Sequence, residues 1–320
     1  MTSWLWVIFT VLAAGGQTLR NAMQRELTSS LGTVGATHVR FLFGLPFALL
    51  FLAAVLLVTG EPVPPLNARM LAWTIVGAVT QFAATALLLA ALREKSFVLI
   101  TALVKTEPVH VAIFGLVFLG DHIGLPLGLA ILIATLGVTI MSWPKSGAKE
   151  SLGLKPILLG LVSGALFGAS AVGYRGAMLA LNSPNFVVDA TTTLVAGLLL
   201  QVAVLSLYLL LFDRATLVAI GKAWRPSMLA GFMGAFASQN WFMAFAIESA
   251  AKVRTLALVE VLFAGLISRR IFKQSLASRD GIGIALILVG VALLLRPELL
   301  ALVLRTLSTI TATAVLGIAA

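Results

Sequence analysis

Two glutamates stand deep inside apolar segments of this chain. Glu107 falls within Phe97 to Leu119 and Glu260 within Val253 to Phe272, 153 positions apart. A carboxylate surrounded by hydrocarbon is expensive, so its presence implies a task or a partner. It can hold a cationic group, or it can take and release a proton, because burial raises a carboxyl pKa. Lys105, two positions before Glu107, lies inside the same segment and needs an anion, either on a substrate or on another helix. Arg40, in His38-Val39-Arg40-Phe41, can reach the interface, anchor a neighbouring helix or bind an anion, and Arg20 and Arg175 have the same options. Gln17, Asn21 and Gln24 share one stripe at helical spacing. With Gln81 and Gln239-Asn240 they can line a polar path or bond helix to helix. Both signs of charge at this depth suit a small polar or zwitterionic solute, such as an amino acid. Arg40, Lys105 or Arg175 would hold its anionic group, and Glu107 or Glu260 its cationic one.

Other residues read more simply. Glu107 and His110 lie three apart on one helical face, the spacing of a metal-binding Glu-x-x-His pair. The second half has Phe263 where His110 falls, so neither a metal nor another cofactor is expected. Pro108 removes a backbone donor and should kink its helix, freeing the carbonyl of Val104. Gly160, Gly164 and Gly168 make two GxxxG steps for close packing. Asp189 fits a capping role at a helix start, and Trp241, Phe242 and Phe245 can face a substrate but better fit lipid or core contact. Glu260, by contrast with Glu107, has only apolar sequence neighbours.

The elements that position these groups follow from composition. The chain is 60% hydrophobic, 11% charged and free of cysteine, which excludes disulfides and thiolate metal sites. Apolar runs of about twenty residues recur throughout, enough to cross a bilayer as helices. We expect ten spans, at approximately 4–26, 33–59, 69–92, 97–119, 124–142, 154–179, 187–212, 226–247, 252–273 and 279–296. The first is read as a retained helix. The fold class is an all-α membrane protein, ten transmembrane helices in an inverted 5+5 repeat. Residues 1–142 form one five-helix repeat and 154–297 the other, joined by a polar linker at 143–153, with an interfacial tail at 298–320. Shifting the chain by 153 places Glu107 on Glu260, Gly128 on Gly281 and Gly137-Val138 on Gly290-Val291. An odd number of helices per half inverts the second half and puts a site near the midplane between halves.

Basic residues set the orientation. With Arg20, Arg40, Lys105 and Arg175 set aside as intramembrane, 13 lie at the loops after spans 1, 3, 5, 7 and 9, against 5 on the other side. Arg254 is counted among those 5. This bias puts the first side in the cytoplasm and the N-terminus outside. The net charge of +10 is the usual membrane pattern, so no nucleic acid is expected. The partners are a lipid bilayer and a small-molecule substrate, with protons a candidate coupling ion and a monomer or homodimer both open.

No GxxxxGK[ST], Gly-x-Ser-x-Gly or HExxH occurs, so ATPase and protease chemistry lack their usual groups and no enzyme is expected. The chain resembles the drug/metabolite transporter superfamily, in particular proteins with two EamA-type domains. The resemblance covers roughly residues 4–296. It rests on Arg40-Phe41, Glu107-Pro108-Val109, Gly128 through Gly137-Val138, Ala244 through Ser249-Ala250-Ala251, Val259-Glu260-Val261 and Gly281 through Gly290-Val291. It implies a secondary transporter, an exporter or exchanger of small organic solutes working by alternating access. Helices 1–4 and 6–9 would line the path, in a bacterial inner membrane. The proton-coupling glutamate of four-helix multidrug relatives lies in their first helix, and here no acid precedes Glu26. A lipid-carrier flippase or multidrug exporter of the same fold is the alternative reading. A non-transporting scaffold or receptor, its buried charges all mutually paired, is another.

Overall fold

A computed structural model of the chain describes residues 4–94, 100, 103–142, 154–262 and 278–301. Among the described residues every regular element is helical. We number them α1 (Leu5–Leu42), α2 (Leu45–Thr59), α3 (Ala68–Glu94), α4 (Glu107–Phe114), α5 (Leu125–Ser142), α6 (Leu154–Leu181), α7 (Phe186–Phe212), α8 (Arg214–Lys222), α9 (Trp224–Ile247), α10 (Ala250–Leu256) and α11 (Ser278–Leu295). A π turn at Gly115–Leu119 extends α4, and a 3₁₀ turn at Ala257–Val259 follows α10. The stretches Val34–Thr59, Ala68–Leu88, Leu154–Leu181 and Phe186–Phe212 are long and apolar enough to cross a membrane. Shorter apolar helices cover Glu107–Leu119, Leu125–Met141 and Asp280–Leu295. Each expected span meets helix. The second part of the ninth, the linker at 143–153 and most of the tail, 302–320, lie outside the described residues.

Two boundaries differ from the sequence reading. The connection expected at 27–32 is helical, and the first two spans are divided only by Gly32, at φ 65° and ψ −178°. A left-handed φ at one residue reverses the chain where a side chain would be strained. The second span is itself broken at Phe43-Gly44. Pro46 cannot donate and its ring would crowd the carbonyl of Leu42, so a new helix starts at Leu45 with the proline in its first turn. Asp213 caps the short α8, accepting from the amide and hydroxyl of Thr216 at 3.1 and 2.7 Å. Those two bonds favour its charged form and hold its carboxyl below the usual range.

The repeat is visible in the packing. Helix α3 packs on α6 and α1 on α9, while α5 packs on α11. Exchanging the halves converts the first pair into the second and returns the third to itself. The α5–α11 contact gives the symmetry in detail. A Cβ on Gly137 would stand 2.7 Å from the carbonyl of Gly283 and 2.9 Å from the amide of Ile287. One on Gly290 would stand 2.9 Å from the carbonyl of Ala130 and 2.8 Å from the amide of Ala134. A shift of 153 turns each member of the first set into its counterpart in the second. The contact is self-complementary, as across a twofold axis. Ascending residues on α5 face descending residues on α11, so the helices run antiparallel. The axis is perpendicular to them, in the plane of the bilayer they cross. This is the inverted repeat.

Gly137→Ala should therefore lower the thermal unfolding midpoint in detergent, at a cost of about 1–3 kcal/mol from overpacking against backbone. Gly128→Ala, on the same helix with nothing within 4 Å of its Cβ position, should leave the midpoint unchanged or raise it.

Candidate functional site

The segment carrying Lys105 and Glu107 is a broken helix. Helical backbone ends at Val104, Lys105-Thr106 form a turn, and α4 begins at Glu107. The Thr106 amide and hydroxyl both donate to the carbonyl of Leu103, at 3.3 and 2.6 Å. Pro108 occupies the first turn of the new helix, where a missing amide proton costs nothing. The expected kink is thus a full interruption. The glycines of α6 seat it. Their absent side chains admit Leu103 at Gly160, the Val104 backbone at Gly164, and His110 with Val111 at Gly168. The second half repeats the irregularity without a proline, because the 3₁₀ turn at Ala257–Val259 immediately precedes Glu260. Each buried glutamate stands at the same distorted place in its half.

The two acids find bases across the repeat boundary. Lys105 Nζ lies 3.1 Å from Glu260 Oε2, and Arg254 Nε lies 3.0 Å from Glu107 Oε1. All four side chains are largely buried. The broken helix of each half supplies the cation for the glutamate of the other. Glu260 Oε2 also accepts from Gln17 Nε2 at 3.0 Å, and Gln17 Oε1 accepts from the Trp241 indole at 3.2 Å. The Arg254 guanidinium lies over the rings of Trp241 and Phe245, 4.6 and 5.3 Å from their centroids. One continuous network therefore joins α1, the broken helix before α4, α9, α10 and Glu260. The partners are unequal. Glu260 is bonded on one oxygen by two donors, whereas Glu107 Oε1 and Arg254 Nε are close but not aligned as a hydrogen bond.

The remaining cations divide. Arg175 Nη1 donates to the carbonyl of Phe245 at 2.7 Å and to that of Glu248, and Nη2 reaches Asp121 Oδ1 at 3.5 Å. It ties the end of α9 to the turn after α4, and a cation suits the carbonyl end of a helix. Arg20 is buried and donates to Asn21 Oδ1 at 2.8 Å, but its Nε has no partner. Arg40 lies over the ring of Phe41, 4.6 Å from its centroid. Both arginines pass over Gly234, whose Cβ position is 3.3 Å from Arg40 Cγ and 3.6 Å from Arg20 Cδ.

Several expected residues lie elsewhere. Gln81 belongs to a separate cluster, in which Gln201 Nε2 donates to Gln81 Oε1 and to Tyr174 Oη. Gln239 donates to Thr191 at 2.7 Å, and Asn240 to the Phe236 carbonyl one turn back at 2.8 Å. His110 Nδ1 stands 3.2 Å from the Thr106 carbonyl and so serves the helix break. The cap of α7 is Asn185, while Asp189 accepts from the Ser183 amide at 3.1 Å. The Gln24 side chain lies outside the described set. Among the described residues no His, Asp and Glu cluster could hold a metal.

Sequence reasoning missed Arg254 and Trp241. Arg254 falls at the expected start of a span, where the sequence places it at a membrane surface. The helix begins earlier, at Ala250, with Ser249 as its cap. By sequence Trp241 suits lipid or core contact better than a substrate face, and its bond to Gln17 Oε1 reveals the polar role. Glu260 was expected among apolar neighbours. Its neighbours along the chain are apolar, but across the bundle it has the fuller set of partners.

Removing one member of a crossed pair leaves the other charge buried and uncompensated, at about 3–5 kcal/mol. Glu107→Gln and Arg254→Gln should each lower the unfolding midpoint in detergent. The double variant should recover most of the loss, as read from a double-mutant cycle. Additive losses would show that the pair does not couple.

The family model for the EamA-like transporter family matches residues 3–143 and again residues 154–296. No curated protein sequence matches the chain. A solved structure, titled only as the crystal structure of a protein, superposes with a TM-score of 0.65. At 15% identity it covers 89% of this chain and 95% of its own, which is a likeness of fold. The chain belongs to the EamA-like transporter family, as a multi-pass membrane transporter of the drug/metabolite superfamily with two repeats.

Proposed function

We propose that this protein is a secondary transporter, an exporter or exchanger, for a small polar organic metabolite bearing an anionic group, zwitterions such as amino acids included. It works by alternating access and not by catalysis, in a bacterial inner membrane. The observation that carries this reading is the crossed pairing of Lys105 with Glu260 and Arg254 with Glu107. Ion pairs between two inverted halves are a means of coupling their relative position to an arriving charge. A cationic group on the cargo competes for Glu107, the less well bonded acid, and an anionic group draws on the cations beside it. The unpaired Arg20 Nε speaks against a scaffold whose buried charges are all mutually satisfied.

In proteoliposomes, flux across a panel of amino acids, organic acids and amines should identify the cargo. Glu107→Gln should cut that flux about tenfold or more, the scale of one lost charge-assisted contact. Undiminished flux removes Glu107 from the mechanism, and no flux for any polar solute removes the reading. Reporter fusions in 143–156 and 213–225 should give cytoplasmic signals, in line with the charge bias. External signals would reverse the orientation.

A further inference from the structure

We infer that Arg20 and Arg40 form an oxyanion subsite of the cargo path, so that the transported metabolite carries net negative charge. The acceptable chemistries are a second carboxylate, a phosphoryl group or a sulfonate. This rests on the transport reading above and narrows it. Arg20 is 7% exposed, its Nε is unpartnered, and among the described residues no carboxylate lies within ion-pair distance of either guanidinium. Its hydrogen bond among the described residues goes to a neutral amide, Asn21 Oδ1. Arg40 is half-buried.

The two side chains are held together by backbone geometry. At Gly234 both stems lie against the same turn of α9, Arg40 Cγ at 3.3 Å and Arg20 Cδ at 3.6 Å from the Cβ position. Gly231, one turn earlier, lets α9 approach the break in the second span, its Cβ position meeting the Phe43 carbonyl at 2.6 Å. Like charges brought together in an apolar bundle repel, and among the described residues no carboxylate pairs with either guanidinium. Arg254 adds to the same field, as an electrostatic neighbour of both arginines, while Glu260 is one of Arg20 only. Counting, among the described residues, Arg20, Arg40, Lys105 and Arg254 against Glu107 and Glu260, the cluster holds an excess of two positive charges. A neutral zwitterion leaves that excess in place, whereas an acidic cargo relieves it. Two planar guanidinium forks also match the oxygens of a carboxylate, phosphoryl or sulfonate group.

Depth separates a soluble cargo from a lipid headgroup. Arg20 and Arg40 precede and follow Gly32 by 12 and 8 residues. At 1.5 Å per residue that places them about 12–18 Å below the Gly32 turn, nearer the bilayer centre than its headgroups. The occupant we commit to is therefore the cargo.

The test uses the full chain in detergent, with inorganic phosphate and sulfate as probes against chloride at equal ionic strength. Both probes should raise the thermal midpoint in a saturable manner. Arg40→Gln should raise the half-saturating concentration about tenfold or more, and Arg40→Lys should restore part of it. Arg20→Gln should act alike. Should it fail to fold, Arg40→Gln alone decides. No probe-dependent shift, or an equal shift in Arg40→Gln, overturns the subsite. A shift that anionic phospholipid alone abolishes, with soluble aminodicarboxylates and phosphorylated amines not competing, assigns the arginines to lipid and overturns it as well. In proteoliposomes, preference for those acidic solutes over neutral amino acids supports it. Efficient neutral amino acid flux with no phosphate effect overturns the subsite and leaves transport standing. An Arg40-dependent phosphate shift without any flux does the reverse.

Discussion

A charge in a membrane-buried bundle is costly unless a partner meets it, and the arrangement of this chain turns on that constraint. The two acids in the broken helices are met from the opposite halves. Glu107 takes Arg254, and Glu260 takes Lys105. Each pair spans the boundary between repeats, so the charges that would destabilise either half alone hold the two halves together. The backbone irregularities belong to the same logic. The turn at Lys105-Thr106 and the 3₁₀ turn before Glu260 place both carboxylates at equivalent points, and the glycine stripe of α6 admits the first of these broken segments.

The halves are equivalent in packing and unequal in chemistry. The α5–α11 contact obeys the twofold down to individual backbone atoms. The arginines of the two leading helices do not. Arg175 is bound to Asp121 and to the carbonyl end of α9, while Arg20 has only an amide. The acids differ likewise, with Glu260 fastened by Lys105 and Gln17 and Glu107 in a looser pair. Under the proposed alternating access, a symmetric scaffold carrying asymmetric charges would have one arrangement and a related one reached by exchanging roles. That is the physical requirement for a binding site exposed to either side in turn.

Much of this was legible in the sequence, for identifiable reasons. Glu107 and Glu260 stood out because charge inside apolar runs is costly, and their spacing gave the register that the α5–α11 glycines obey. GxxxG steps marked close packing because only glycine admits a backbone at 3 Å. What stayed hidden depended on contacts across the bundle. No periodicity identifies Arg254 as the partner of Glu107, and its position near a helix start made it look like an interfacial charge. Gln17 was read from its stripe, but its link to Trp241 and Glu260 needed the packing of α1 on α9. Pro108 signalled an irregularity and left its form open, and the matching distortion before Glu260 has no proline at all. Gln239 and Asn240 had the right polarity and spend it on nearby helical groups.

Charge reversal across the Lys105–Glu260 pair tests the central claim most directly, with flux of the identified cargo as the readout. If the crossed pair couples the halves, Lys105→Glu and Glu260→Lys each abolish transport, and the double reversal restores a substantial part of it. If either single reversal transports at the unaltered rate, or the double is no better than the worse single, the pair does not couple the halves and the account is contradicted.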